Sequence, residues 1–103
     1  MKRARTMEEY QGMVKEALAE IQDLRDAIEF DEDEMSVAIG FVDRLDAEVR
    51  KLYDLMVEGR YRFENEDLPF MPIIADESTH FLPFKELIET LNRTHREGLE
   101  TDP

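Results

Sequence analysis

The fold depends on residues 28–35, IEFDEDEM, which separate two stretches of helical periodicity. Asp31 has the side chain of an N-cap residue, and Glu34 follows three positions later, as in a capping box. Phe30 and Met35 occupy the two positions of a hydrophobic staple around that cap. These features predict two helices in an antiparallel hairpin. The alternative is one long helix that dimerises as a coiled coil, in which Asp31 takes a core position as an unpaired charge.

On both sides of this stretch, apolar residues recur in alternating steps of four and three, a period that places one seam along a helix. The first seam predicts a helix over residues 7–29, which begins with a capping box between Thr6 and Glu9. The second predicts a helix over residues 32–58, with Gly59 as its C′ residue. The seam positions are Tyr10, Val14, Ala17, Ile21, Leu24 and Ile28, then Met35, Ala38, Val42, Leu45, Val49, Leu52 and Met56.

The rest of the chain completes a single all-α domain. Residues 60–82 lack helical periodicity and contain Pro69 and Pro72, which predicts an irregular connector with a short helical turn. A third helix is expected over residues 83–97, where Gly98 ends it. Residues 1–6 are expected to form a flexible basic N-terminus and residues 98–103 a tail. The predicted fold is a long antiparallel helical hairpin with a C-terminal helix packed on it.

Residues 35–42, MSVAIGFV, are apolar almost all the way round the second predicted helix, so they are covered on more than one side. Gly40 lowers helix stability at this point, which suggests that another element approaches closely. Either the C-terminal part of the chain or a second subunit supplies the cover. We expect a homodimer with Val37, Ile39, Gly40 and Phe41 in its interface.

The chain has 26 acidic and 13 basic residues, a formal net charge of −13. This charge repels the phosphates of nucleic acids and of anionic membranes, so neither is predicted as a partner. Another protein, preferably a basic one, suits the charge better. The chain has no cysteine and no segment near the roughly 20 apolar residues of a membrane span, so we expect a cytoplasmic protein.

The sequence contains no nucleophile motif and no Gly-rich phosphate loop, and it predicts neither an enzyme nor a cofactor. Glu77 and His80 have the Glu-x-x-His spacing of di-metal helical bundles, and they are the candidates for a metal site. A loop histidine hydrogen-bonded to backbone is the simpler interpretation of His80. His95 lies on the apolar side of the third predicted helix near its C-terminus, where the helix dipole favours a protonated ring.

Aromatic and arginine side chains concentrate in the connector. Both types are over-represented at the hot spots of protein interfaces, so this segment predicts a partner-binding patch. The alternative is that its aromatic residues close the open face of the hairpin. The predicted partner-binding residues are Arg60, Tyr61, Arg62, Phe63, Phe70 and Phe81.

Two runs, EALAEIQDLRDAIEFD over residues 16–31 and EDLPFM over residues 66–71, resemble a group of short uncharacterised bacterial proteins. Some members of that group carry a general-secretion-pathway label. The resemblance implies a bacterial, secretion-related adaptor and assigns no site residue.

These observations predict a protein-interaction or adaptor module without catalytic activity. One alternative is a nucleic-acid mimic that blocks the binding groove of a basic protein, because residues 8–58 hold 16 acids against 5 bases. The other alternative is a metal-binding helical protein that uses Glu77 and His80.

Overall fold

The computed structural model describes residues 1–30, 35–75 and 82–100, except for the side chains of residues 29, 30 and 35–39. This part of the chain contains four helices and no strand. The helices are α1, Met7–Phe30; α2, Met35–Val57; α3, Met71–Ile74; and α4, Lys85–Glu97. The molecule is elongated, with extents of 49 × 26 × 20 Å. The predicted all-α fold is confirmed.

Helices α1 and α2 pack against each other as the predicted hairpin, so the single-helix alternative is wrong. Their apolar seams face each other and bury nine side chains at the centre of the core. Arg25 of α1 lies beside Asp43 and, at 3.8 Å, Asp46 of α2, which adds an ion-pair bridge between the helices. The predicted cap at Asp31 lies outside the described residues. The buried seam residues are Tyr10, Val14, Ala17, Ile21, Val42, Leu45, Val49, Leu52 and Met56.

The open side of the hairpin is covered by the C-terminal half of the chain. Helix α4 packs on α1 and buries Leu87, Ile88 and Leu91, which recur at helical spacing along one face. The short helix α3 contacts both α2 and α4, and Pro72 stands in its first turn, where a missing backbone N–H costs little. Gly98, at φ 85°, follows the last residue of α4, as predicted.

Hydrogen bonds cap the start of α1 and the end of α2 near the predicted positions. The backbone N–H of Glu9 donates to Thr6 Oγ1 at 3.0 Å, which caps α1. At the end of α2 the Arg60 N–H donates to the Leu55 carbonyl at 2.9 Å and the Gly59 N–H to the Met56 carbonyl at 3.2 Å. This is a Schellman motif, and Gly59 takes the left-handed φ of 71° that it requires.

The N-terminal segment differs from the expected flexible extension, because it is packed on the end of the chain. Ala4 is fully buried, and its carbonyl accepts a hydrogen bond from the Glu100 N–H at 2.8 Å. The Arg3 guanidinium donates to the Gly98 carbonyl at 2.8 Å. Pairing with the C-terminal segment is a long-range contact, and no local sequence pattern predicts it.

The apolar stretch of α2 is covered within the chain at the positions that can be assessed. Phe41 is only 7% exposed, so it offers no free surface to a second subunit, and this corrects its assignment to a dimer interface. A Cβ added at Gly40 would meet only Arg44 Nη1, at 4.0 Å, among the described residues. Gly40 therefore does not mark the close approach of another described element. The side chains of Val37 and Ile39 lie outside the described residues.

Candidate functional site

Three aromatic rings and a histidine meet where the chain leaves α2 and passes over α1 and α4. We call Tyr10, Tyr61, Phe63 and His95 the aromatic cluster. The Phe63 ring lies parallel to Tyr10, with centroids 6.0 Å apart and an interplanar angle of 9°. The Tyr61 ring stands edge-on to both, at 5.6 Å from Tyr10 and 5.1 Å from Phe63. The His95 ring is tilted against Tyr61 at 5.6 Å, so the cluster joins three elements.

The polar atoms of the aromatic cluster form one hydrogen-bond chain. The Tyr10 hydroxyl donates to the Leu91 carbonyl at 2.8 Å, and the Tyr61 hydroxyl donates to the Tyr10 oxygen at 3.3 Å. The Tyr61 oxygen also lies 2.6 Å from Nδ1 of His95. Each hydroxyl has one proton, so all three contacts are made together only when His95 Nδ1 carries a proton and donates to Tyr61.

The surroundings hold this chain in its uncharged form at neutral pH. Burial raises the pKa of Tyr10 far above its usual value, and the contact with Tyr61 raises it further. Burial also raises the pKa of Tyr61 to about 12. Burial lowers the pKa of His95, and the nearby Glu66 carboxylate only partly opposes this effect. Burial of His95 thus opposes the protonated ring that a position near the C-terminus of a helix favours.

The aromatic cluster has a buried base and an exposed top. Tyr10 and His95 are buried, Tyr61 is half-buried, and Phe63 remains 39% exposed. Met7 lies one turn before Tyr10 on α1 and is equally exposed at 39%. The exposed ring of Phe63 thus packs against two other rings and does not stand alone in solvent.

An acidic pair lies beside the aromatic cluster. The pKa of Glu66 is raised, because its carboxyl group hydrogen-bonds with that of Glu64 and the two charges repel. The Glu64 charge also raises the pKa of Tyr61, although burial is the largest cause of that shift. Within the described residues, neither carboxylate forms an ion pair with lysine or arginine. Arg60 instead approaches Glu58, with Nη1 and Oε2 3.4 Å apart.

A second set of polar contacts fixes the chain just beyond this pair. The Leu68 N–H donates to Asn92 Oδ1 at 2.8 Å, and Asn92 Nδ2 donates to Asp67 Oδ1 at 2.9 Å. Arg96 Nη1 reaches the same Asp67 oxygen at 3.1 Å. Asn92 is buried, so one amide side chain satisfies a backbone donor and anchors the segment to α4.

We expect Asn92→Ala to lower the free energy of unfolding by about 1–3 kcal/mol, because the buried Leu68 N–H loses its acceptor. Asn65→Ala is the control, since Asn65 is an exposed asparagine on the anchored segment and accepts only a long contact, 3.4 Å, from Arg96 Nε. Urea denaturation followed by circular dichroism measures both. Equal, small losses in the two variants would show that Asn92 does not anchor the segment.

The structure separates the predicted partner-binding residues. Arg60, Tyr61, Arg62 and Phe63 lie together, with Arg60 and Arg62 exposed. Phe70 is fully buried in the core, which corrects its assignment to a partner surface. Phe81 and the metal candidates Glu77 and His80 lie outside the described residues. Among the residues that are described, no group of three or more His, Asp or Glu side chains is arranged to hold a metal ion.

Sequence reasoning did not assign Tyr10, His95 and Asn92 to this site. Tyr10 was predicted as a seam residue, and only its hydroxyl distinguishes it from an ordinary core position. The sequence did not indicate that Asn92 is buried, because a polar residue on a mostly polar helix is usually exposed.

Comparison with protein-family models, curated proteins and solved structures found no match to this chain. The resemblance to short bacterial proteins therefore stays a prediction. No helix within the described residues is both long and apolar enough to span a membrane.

Proposed function

We propose that the protein is an interaction module that docks a basic, partly apolar segment of another protein on the aromatic cluster. The observation that carries this proposal is the Phe63 ring, 39% exposed while it is stacked on Tyr10 and edge-on to Tyr61. A partner side chain that covers Phe63 gains apolar contact area on a surface that already has its bound shape.

Preorganisation favours this surface over the other exposed apolar residues. Aromatic side chains that are already fixed lose little conformational entropy on binding. Leu55 and Val57 are also exposed, but they stand two positions apart on α2 and point in different directions. Such single exposed residues are normal on a protein surface, whereas Phe63 is part of a group.

Charge supports a basic partner. Glu64 and Glu66 lie next to each other without a described basic partner, and a lysine or arginine would relieve their repulsion. The net charge of −13 also attracts a basic segment from a distance and discourages association of two copies. The partner therefore needs an apolar group for Phe63 and a basic group for the acidic pair.

The proposal requires no chemical step. The raised pKa of Tyr61, about 12, keeps its hydroxyl protonated near neutral pH. The hydroxyls of the aromatic cluster act as hydrogen-bonding groups that hold the segment in place, not as acids or bases toward a substrate.

A labelled amphipathic peptide of lysine and leucine tests the proposal by fluorescence anisotropy. We expect it to bind at low ionic strength, and more weakly as salt screens the charges. A peptide with glutamine in place of lysine should bind at least about tenfold more weakly, a difference of about 1.4 kcal/mol. Equal binding of the two peptides, or binding of neither, would contradict a basic and apolar partner.

One observation favours the nucleic-acid mimic as a second candidate. Glu9, Glu16 and Asp23 are exposed and stand seven positions apart, so they share one face of α1. A row of carboxylates on one face resembles the regular negative charge of a nucleic-acid backbone. We call these three residues the acidic row of α1. A binding experiment must distinguish a partner that binds this row from one that binds the aromatic cluster.

A further inference from the structure

Residues 1–5 lie against the C-terminal end of α4 in the manner of a bound peptide. We call these residues the N-terminal strap, and we call the surface beneath them the strap site. The Ala4 carbonyl accepts a hydrogen bond from the Glu100 N–H at 2.8 Å, and the Ala4 side chain is fully buried. Proteins bind extended peptides through contacts of this kind, in which a main-chain hydrogen bond accompanies a side chain in a pocket.

The arginine side chains of the strap contact an acidic surface. The Arg3 guanidinium donates to the Gly98 carbonyl at 2.8 Å, and its Nε lies 3.9 Å from Glu97 Oε1. Arg5 Nε lies 3.9 Å from Glu100 Oε2. The C-terminal end of a helix carries a partial negative charge, which adds to the charges of these two carboxylates. The strap site therefore favours a positively charged segment.

The strap leaves one polar atom of this site unsatisfied. Glu100 Oε2 is buried and accepts no hydrogen bond within the described part of the chain. Its distance of 3.9 Å from Arg5 Nε is too long for a hydrogen bond. A buried carboxylate oxygen without a donor is unfavourable, so a guanidinium that reaches this oxygen binds better than Arg5 does.

The strap is attached by few interactions. It precedes α1, and the side chain that caps α1 belongs to Thr6, outside the strap. Within the described residues, the hydrogen bond at Ala4 is the one backbone–backbone hydrogen bond between the strap and the rest of the chain. The ion pairs with Glu97 and Glu100 are long and partly exposed, and such pairs contribute little to stability. A competing segment therefore has few interactions to replace.

We propose that the strap site binds an extended segment of a partner protein with arginines on either side of a small residue, and that the strap is its built-in competitor. The small residue takes the buried position of Ala4, and the arginines take the places of Arg3 and Arg5. The strap is tethered, which gives it a roughly millimolar effective concentration at the site. A partner segment displaces it by hydrogen bonding to Glu100 Oε2, which the strap leaves unsatisfied. The strap site shares no residue with the aromatic cluster, so this inference does not depend on the proposed function.

A labelled peptide with the sequence Lys-Arg-Ala-Arg-Thr, added to the full chain, tests the inference by fluorescence anisotropy. The Ala4→Asp variant places a carboxylate where the structure buries a methyl group, so we expect the strap to leave its site. The peptide should then bind at least about tenfold more tightly than it binds the unchanged chain, in which the strap competes.

Lys2→Asp is the matched control, because Lys2 is an exposed residue of the strap and its replacement leaves Ala4 in place. This variant is more negative than Ala4→Asp, yet its Kd for the peptide should stay within about threefold of the Kd of the unchanged chain. No gain in a folded Ala4→Asp, or an equal gain in Lys2→Asp, would overturn the inference. The first result means that no site is uncovered, and the second means that the peptide follows negative charge alone.

A second variant serves if circular dichroism shows that Ala4→Asp does not fold. Arg3→Glu keeps the buried methyl group, removes the contact with the Gly98 carbonyl and repels Glu97, so it should also release the strap. Hydrogen exchange of the Glu100 amide reports the release, because that N–H donates to the Ala4 carbonyl. We expect faster exchange in Arg3→Glu and slow exchange again when the peptide is added. Exchange that the peptide does not slow would contradict the strap site.

Two further changes, each made together with Arg3→Glu, locate the bound peptide. Glu100→Gln removes the carboxylate that an arginine of the peptide reaches, so the peptide should bind at least about tenfold more weakly. Phe63→Ala should leave the Kd unchanged, because Phe63 belongs to the aromatic cluster. A loss of affinity in Phe63→Ala with none in Glu100→Gln would place the peptide at the aromatic cluster and overturn the inference.

Discussion

Replacement of Phe70 by alanine should lower the free energy of unfolding by about 3–5 kcal/mol, a large part of the roughly 5–15 kcal/mol of a typical domain. Phe70 is fully buried at the start of α3, where it belongs to the core shared with α2 and α4. Removing the ring loses its apolar contacts and leaves a cavity that the surrounding helices fill only in part. Urea denaturation followed by circular dichroism measures the change.

Phe63→Ala is the matched control for Phe70→Ala, since both remove a phenylalanine ring from the segment between α2 and α3. Phe63 is 39% exposed, and we expect its loss to destabilise the fold by less than about 1.5 kcal/mol, the range of one aromatic pair. Similar losses in the two variants would show that the Phe70 ring contributes no more to the core than the exposed Phe63 ring does.

For binding of the lysine–leucine peptide we expect the opposite order, with a larger loss in Phe63→Ala than in Phe70→Ala. We expect Phe63→Ala to weaken binding of the lysine–leucine peptide by at least about 2 kcal/mol, the range of an interface hot spot, or roughly 30-fold in Kd. The reason is that Phe63 is the exposed ring of the aromatic cluster, whereas Tyr10 and His95 are buried and Tyr61 is half-buried. Fluorescence anisotropy with the labelled peptide gives the Kd of each variant.

Leu55→Ala is the control for this loss of affinity. Leu55 is 36% exposed, close to the 39% of Phe63, but it lies on α2 and outside the aromatic cluster. It should change the Kd by less than about threefold, which corresponds to about 0.65 kcal/mol. A matching loss in Leu55→Ala would indicate non-specific attraction of the peptide to the apolar surface.

Periodicity and cap chemistry predict the helices because both depend on neighbouring residues. Nine seam side chains of α1 and α2 are buried, and Leu24 and Ile28 are partly buried beside them. Gly59 takes the left-handed conformation that ends α2. A capping interaction or a seam involves residues within a turn or two of each other. These features are therefore readable from a single sequence, and they were sufficient to predict the hairpin.

The candidate site was only partly predictable, because long-range contacts decide it. The composition of the connector drew attention to Tyr61 and Phe63, but it did not distinguish the buried Phe70 from the exposed Phe63. An irregular segment has no periodicity from which to assign an inward face. The partners Tyr10 and His95 come from opposite ends of the chain, and their contact with Tyr61 follows only from the packing of α4 on α1.

We propose that a basic partner docks on the aromatic cluster. Mapping the backbone amide signals that shift when unlabelled lysine–leucine peptide is added to the ¹⁵N-labelled protein tests it most directly. We predict that the largest shifts fall on residues 60–66 and on the first turn of α1, and that they are lost in Phe63→Ala. Shifts centred on Glu16 and Asp23, and unaffected by Phe63→Ala, would contradict the claim and favour the acidic row of α1 as the binding surface.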